Sequence, residues 1–190
     1  MNIILFGAPG VGKGTQAAIL AERLGVPHIS TGAIFRSAVA AGKPLGLEAK
    51  RYMDDGLLVP DELTTRIALD ALDEPACANG FILDGYPRNI GQAEALAAAL
   101  TAKGTSVGKV IYLTAPLDEL VERMLKRGRV DDTEDVIRTR FEVYDAETSP
   151  VLNYFRAIDH VTEINGVGDV DEVHERIVAA LNGSVQVDNA

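Results

Sequence analysis

Residues 7–15 read GAPGVGKGT. They follow the apolar run Ile3, Ile4, Leu5 and Phe6, long enough for one buried strand. Behind them, across residues 16–24, Ala17, Leu20, Ala21 and Leu24 recur at helical spacing. Strand, glycine-rich turn and helix in that order give a phosphate-loop motif its meaning. Glycines let successive backbone N–H groups turn inward around phosphate oxygens, and the helix behind aims its positive end at the same anion. Lys13 adds a full charge, expected at the β- and γ-phosphates. The usual pattern puts Ser or Thr directly after the lysine to ligate magnesium; here that place is Gly14, and the hydroxyl comes one later, at Thr15. A phosphate contact is therefore the expectation for Thr15. The competing reading, a glycine-rich turn with no ligand, is disfavoured by the strand and helix on either side.

The bulk numbers narrow the class. A chain of 190 residues is about one domain with small insertions. With 47% hydrophobic and 24% charged residues it is globular, not disordered. No apolar run approaches a membrane span, and the start, MNIILFGAPG, lacks the basic region of a signal peptide. Cys77 is the only cysteine, so neither a disulfide framework nor a cysteine-based zinc site forms within one chain; a reducing, cytoplasmic setting is expected. The net charge of −10 argues against a broad nucleic-acid surface. A protein this acidic can hold a polyphosphate only by concentrating its basic residues locally.

Taken in order, apolar runs predict further strands at 26–29, 81–83, 109–114 and 160–164. Helices are expected over 33–41, 47–55, 61–72 with Asp61 as cap, 90–100, after Pro116, over 133–149 until Pro150, and over 170–181. Residues 184–190 read as a polar, disordered tail. The alternation of strands and helices gives the fold class: α/β, a mostly parallel sheet with helices on both faces. In such sheets the ligand lies at the carboxyl ends of the strands, where residues 7–15, Thr31 and the run from Asp84 to Arg88 all fall. Residues 30–59 look like a small helical subdomain inserted between two strands.

Arg123, Lys126, Arg127, Arg129, Arg138 and Arg140 crowd one short region. Arg123 and Arg127 are one helical turn apart and share a face. Arg140 shares a face with Val136 and Tyr144 and is read as inward, Arg138 as outward. A solvated face is the reading preferred for Lys126 and Arg138 and remains open for the others. The other use is chemical. If a phosphoryl group passes between two nucleotides, two polyanions must touch, and unit charges at about 4 Å repel by about 4 kcal/mol at an effective dielectric of about 20. Arginines supply opposing charge in a geometry that grips phosphate oxygens in pairs. Water must also be excluded, which a short mobile flap at 128–132 would do on closing. Asp84, at a strand end, is either a carboxylate for magnesium and its waters or a turn-capping aspartate.

GAPGVGKGTQ, STGAIFR, LLVPD at 57–61, FILDGYPR with Gln92, and RGRVDD occur in the order in which the adenylate kinase family carries such segments, and the chain resembles that family over most of its length. The GKGT variant is the family's own. The resemblance implies a P-loop core at 1–29, 60–125 and 133–190, an AMP-binding subdomain at 30–59 and a short lid at 126–132. It implies the reversible reaction of MgATP with AMP to give two ADP, serving adenine nucleotide homeostasis. Gly10, Val11, Gly12, Lys13, Gly14 and Thr15 would hold the ATP phosphates, with Arg123, Arg127 and Gly168 on the same side. Thr31, Arg36, Leu57, Leu58, Val59, Gly85, Tyr86, Pro87, Arg88 and Gln92 would form the AMP pocket, Gln92 reading the adenine, and Arg129 and Arg140 would bridge to AMP. Lys13, Arg88, Arg123, Arg129 and Arg140 would act as electrostatic catalysts, without a general base. Asp84 would hold Mg2+ through water. Ala33 stands where many members have a carboxylate, and the short flap lacks a zinc-binding insertion, so structural zinc is not expected. His28, His160 and His174 are read as ordinary packing or surface residues. A monomer is expected. A UMP or CMP kinase is the alternative enzyme, which Thr31 and Gln92 disfavour; a nucleotide-binding switch has no use for a second binding segment and several arginines.

Overall fold

A computed structural model describes residues 1–158 and 160–183; the tail expected at 184–190 lies outside them. Five parallel strands form one sheet in the order β2-β3-β1-β4-β5, with β1 at Asn2–Gly7, β2 at His28–Ser30, β3 at Phe81–Asp84, β4 at Lys109–Thr114 and β5 at Val161–Asn165. Every residue of β1 is buried. Its alternate side chains feed two cores: Ile4 and Phe6 pack with Leu83, Val110 and Phe155, while Ile3 and Leu5 pack with Leu20, Ile82, Ile111 and Ile177. A strand covered on both faces needs an unbroken apolar run, which is why Ile3 to Phe6 carries no polar residue. Because β1 lies between β3 and β4, the chain leaves it toward one side for β2 and β3 and crosses to the other for β4 and β5. That reversal opens a crevice at the carboxyl end of β1.

Among the described residues the helices are α1 at Lys13–Leu24, α2 at Thr31–Ala40, α3 at Pro44–Asp54, α4 at Asp61–Leu72, α5 at Ile90–Ala102, α6 at Leu117–Arg127, α7 at Glu134–Val143, α8 at Val151–Arg156 and α9 at Val170–Gly183. Four readings change. Helix α1 starts at Lys13 and not at residue 16, so the lysine sits on its first turn. Pro60 is the N-cap of α4, and Asp61 is its first helical residue without a side-chain cap bond. The helix expected over 133–149 is α7 followed by a π-turn at Tyr144–Thr148, and Pro150, in helical conformation, opens α8 where a stop was expected. A proline ring is as compatible with a first helical turn as with a break. On α6 only Leu120 and Met124 are buried; Leu117 and Leu125 are exposed.

Helices α2 and α3 form a hairpin with a small core of its own, in which Phe35, Ala49, Val59 and Leu63 pack together. Its closest approach is at Gly46, where a Cβ would lie 2.2 Å from the Ala38 carbonyl carbon and 2.3 Å from the Val39 nitrogen. Gly46→Ala is accordingly expected to lose about 2 kcal/mol of stability in urea denaturation through overpacking. Gly104→Ala, where a Cβ meets nothing within 4 Å but φ is +69°, loses about 1 kcal/mol from backbone strain alone. Equal losses at the two positions would show that the hairpin is not close-packed there.

Candidate active site

The crevice is a cavity of about 820 Å3, and all the residues singled out from the sequence for catalysis, either nucleotide or the metal line it. The loop after β1 forms its floor. Gly10 has φ +86°, and a Cβ there would meet the Leu120 carbonyl oxygen at 2.7 Å, so the loop packs on α6 only with glycine at this point. Helix α1 begins directly behind, with Gly12 as an N-cap that offers no side-chain acceptor. The first-turn N–H groups are thereby kept for an anion. A Cβ at Gly14 would sit 3.4 Å from Asp84 Oδ2, so the residue that follows the lysine lies at ordinary contact distance from the carboxylate at the end of β3.

Seven of the chain's 18 Lys and Arg residues line this one cavity: Lys13, Arg36, Arg88, Arg123, Arg127, Arg129 and Arg140. Among the described residues Asp84 is the one acidic residue in its lining. Burial is the leading influence on four of them, Lys13, Arg36, Arg88 and Arg129. It lowers Lys13 from 10.5 to about 8, with Arg88, Arg127 and Arg129 pushing the same way and Asp84 opposing. Burial likewise lowers Arg36, Arg88 and Arg129 from the ordinary guanidinium value. Burial pushes Asp84 up, but the neighbouring His28, the Lys13 charge and the Ser30 hydroxyl outweigh it, and its carboxyl stays below the ordinary value.

Five of these cations, Lys13, Arg88, Arg123, Arg127 and Arg140, are held by hydrogen bonds or ion pairs. Lys13 Nζ donates to the carbonyls of Gly7 at 2.7 Å and Ala8 at 2.9 Å. Arg88 Nε donates to the Gly85 carbonyl at 2.8 Å, and Thr31 Oγ1 donates to the same oxygen at 2.9 Å. Arg123 donates to the Gly166 carbonyl at 3.1 Å and pairs with Glu119, tying α6 to the loop that carries Gly168. On the flap, Asp132 is buried and accepts two bonds from Arg127 at 2.8 and 2.7 Å, one from Arg140 at 3.1 Å and one from the Arg129 N–H at 3.1 Å. Asp131 also pairs with Arg140. Arg138 is exposed beside Asp135, and Arg140 is turned inward, as their faces on α7 imply.

Several residues of the site went unread in the sequence. Asp131 and Asp132 hold Arg127 of α6 and Arg140 of α7; their signal was the acid pair closing RGRVDD. His28, read as packing, lines the cavity with Nε2 3.7 Å from Asp84 Oδ2, because β2 and β3 are neighbours and pair Ser30 with Asp84. No periodicity in the sequence announces that pairing. Gln16, next to the loop, is buried and donates to the Val170 carbonyl at 2.8 Å, joining α1 to α9. Tyr144 and Thr148 reach the cavity from the π-turn.

The family model for adenylate kinase matches residues 5–160. The chain is 52% identical over 181 residues to an adenylate kinase of Mycolicibacterium smegmatis and 51% identical over 181 residues to one of Nocardia farcinica, covering 95% of this chain and 99% of each relative. An adenylate kinase of a Nocardioides species is 49% identical over 186 residues, covering 96% of this chain and 97% of the relative. This chain belongs to the adenylate kinase family. It is therefore a nucleotide-binding phosphotransferase, built on the P-loop α/β fold read from its first strand.

For an adenylate kinase the lowered Lys13 has a measurable consequence. Between about 8 and 10.5 the folded chain binds fewer protons at this site than the unfolded one, so Lys13 contributes stability that grows as pH rises through that window. A phosphate chain acts in the opposite sense, since it favours the ammonium. Binding ATP at about pH 8.5 is expected to take up a proton, read as a dependence of the calorimetric heat on the buffer's ionisation enthalpy. The uptake fades below about pH 7, where Lys13 is already charged, and is absent from Lys13→Met. A heat independent of buffer at about pH 8.5 would show that Lys13 does not meet the phosphates.

Proposed function

We infer that this chain catalyses reversible transfer of the γ-phosphoryl group of MgATP to AMP, giving two ADP, and so balances the adenine nucleotide pool. The observation that carries this reading is the convergence of Lys13 and six arginines on one cavity with a phosphate loop at one end and Thr31, Arg36 and Gln92 at the other. A single polyphosphate needs one such end; two mutually repelling polyanions need both. In the step itself an acceptor phosphate oxygen forms a bond to the γ-phosphorus. The bond from that phosphorus to the bridging oxygen breaks, and its electron pair stays on the β-phosphate. AMP arrives ionised, so no side chain has to remove a proton.

Gly10, Val11, Gly12, Lys13, Gly14 and Thr15 hold the ATP phosphates, Arg123 and Arg127 approach from α6, and the Gly168 backbone lies toward the donor base. Thr31, Arg36, Leu57, Leu58, Val59, Gly85, Tyr86, Pro87, Arg88 and Gln92 form the acceptor pocket. Lys13, Arg88, Arg123, Arg129 and Arg140 neutralise the charge that builds as the nucleotides meet. Asp131 and Asp132 give Arg127 and Arg140 counterions until phosphate takes their place, which keeps the fork geometry in readiness. Residues 1–29, 60–125 and those from 133 onward act as the core, 30–59 as the acceptor-binding unit and 126–132 as a short lid.

Magnesium suits the donors present. Asp84 offers one carboxylate, held by Ser30 Oγ at 3.1 Å and facing Lys13, and among the described residues no cluster of three His, Cys, Asp or Glu forms a cage. A cation that keeps its waters and takes most other ligands from substrate phosphates needs no more. Bound with ATP, it withdraws charge from the phosphoryl oxygens; Asp84 orients its water shell. Among the described residues no helix is long and apolar enough to cross a membrane. The single cysteine suits a reducing, cytoplasmic setting, and the family resemblance suits a monomer.

The reading is tested by mixing ATP, AMP and Mg2+ and following ADP. ADP forms only when AMP is present, and UMP, CMP and GMP replace it poorly. ATP consumption that ignores AMP would mark a switch, and faster turnover with UMP or CMP the alternative kinase. Arg88→Ala is expected to lower kcat by about 100-fold or more and to raise KM for AMP. An effect confined to ATP affinity would contradict its place beside the acceptor.

A further inference from the structure

Gln92 lies on the first turn of α5, and its side chain is buried at the cavity wall. Both ends of its amide are engaged. Oε1 accepts from the Arg88 backbone N–H at 2.8 Å, and Nε2 donates to Asp61 Oδ1 at 2.7 Å. That orientation is chemically fixed, because a backbone N–H only donates and an ionised carboxylate only accepts. Asp61 is held in turn by Asn89 Nδ2, 2.9 Å from each carboxylate oxygen, while Asn89 Oδ1 caps α5 at the Gln92 N–H, 2.9 Å away. Since Pro60 takes the cap position of α4, the Asp61 carboxylate is free for this task.

We propose that Asp61 is a specificity-determining positioning residue, which holds the Gln92 amide in one orientation and so makes the acceptor site select 6-aminopurine over 6-oxopurine nucleotides. The proposal rests on the reading that Gln92 faces the acceptor base. After its two internal bonds, Gln92 keeps one Nε2 hydrogen and one Oε1 lone pair. A 6-aminopurine presents a donor at the 6-position and an acceptor at N1. A 6-oxopurine presents the reverse. In one pose the two bases therefore need opposite amide orientations. A glutamine free to turn would serve both. Here the turned amide sets Nε2 against the Arg88 N–H and Oε1 against the Asp61 carboxylate, and both encounters are repulsive. The backbone supplies one half of this lock and Asp61 the other. Asp61 is solvent-exposed, so water competes for its place and its half is worth about tenfold in discrimination, less than a sealed polar pocket achieves.

The test compares kcat/KM for AMP and IMP at saturating MgATP, since IMP changes the 6-position and N1 without adding a bulky group. Asp61→Ala is expected to lower the AMP to IMP ratio about tenfold, through a raised KM for AMP and a lowered KM for IMP, with KM for ATP unchanged. Asp61→Ser, which keeps a residue favoured at helix starts, gives the same shift and keeps the test decisive should the alanine variant fold poorly. Gln92→Ala is the reference. If it collapses the ratio while the Asp61 variants leave it intact, or lower both nucleotides equally as a merely structural residue would, the positioning role is overturned and the base reading stands. If Gln92→Ala leaves the ratio unchanged, Gln92 does not read the base, and both readings fall together.

Discussion

Positive charge gathered out of water is what the rest of this molecule has to accommodate. The protein is acidic overall, with a net charge of −10, yet it turns seven cationic side chains into one cavity. Desolvation is the leading influence on Lys13, Arg36, Arg88 and Arg129 alike, and in each it disfavours the charged form. Such a cluster would be driven apart if its members were loose. Four of them are instead tethered to fixed acceptors: Lys13 to two loop carbonyls, Arg88 to the Gly85 carbonyl, Arg127 and Arg140 to Asp131 and Asp132. The tethers are short-range hydrogen bonds to groups that a phosphate can replace. The cavity therefore carries unsatisfied attraction for a polyanion while remaining folded without one.

The sheet explains why these tethers meet. Parallel strands end on the same side, and β1 at the reversal point delivers the phosphate loop between the end of β3, with Asp84 and Gly85, and the end of β4. Thr31 begins α2 directly at the end of β2, and its hydroxyl reaches the Gly85 carbonyl across the β2–β3 pair. Arg123 and Arg127 arrive on α6, the helix that follows β4 and lies against Gly10. Helix α6 and the loop after β3 are thus fixed by the two buried layers and α2 by its own small core, and the arginines inherit their positions from hydrophobic packing. Precision in the polar site is a consequence of close packing beneath it.

What the sequence disclosed follows the same division between local and non-local physics. The phosphate loop was legible because strand, glycines and helix are contiguous, and the inward face of Arg140 because Val136 and Tyr144 repeat with it. The relation of His28 to Asp84 was hidden, since it depends on which strands lie side by side, and an apolar strand of three or four residues does not name its neighbour. That Asp61 is the first helical residue and not the cap is not legible, because an aspartate at a helix start satisfies the propensity rules at either of two adjacent positions, and only the Pro60 conformation decides between them. Helix α8 was missed because Pro150 reads equally as a stop and as a first turn. The acids at 131 and 132 were visible as letters, but their partners on α6 and α7 were not.

Lys13 and Asp84 set each other's charge, and this reciprocity bears on how the site can evolve. The carboxylate raises the ammonium's proton affinity, and the ammonium lowers the carboxyl's. Remove the carboxylate, and burial with three nearby arginines is left unopposed, so the lysine moves further toward its neutral form. Remove the lysine, and burial of Asp84 loses one of the forces that oppose it, so the carboxyl moves toward its protonated form. Either loss thus weakens the charge on both side chains. The two residues lie far apart in sequence yet behave as one electrostatic unit, because the end of β3 sits beside the first turn of α1.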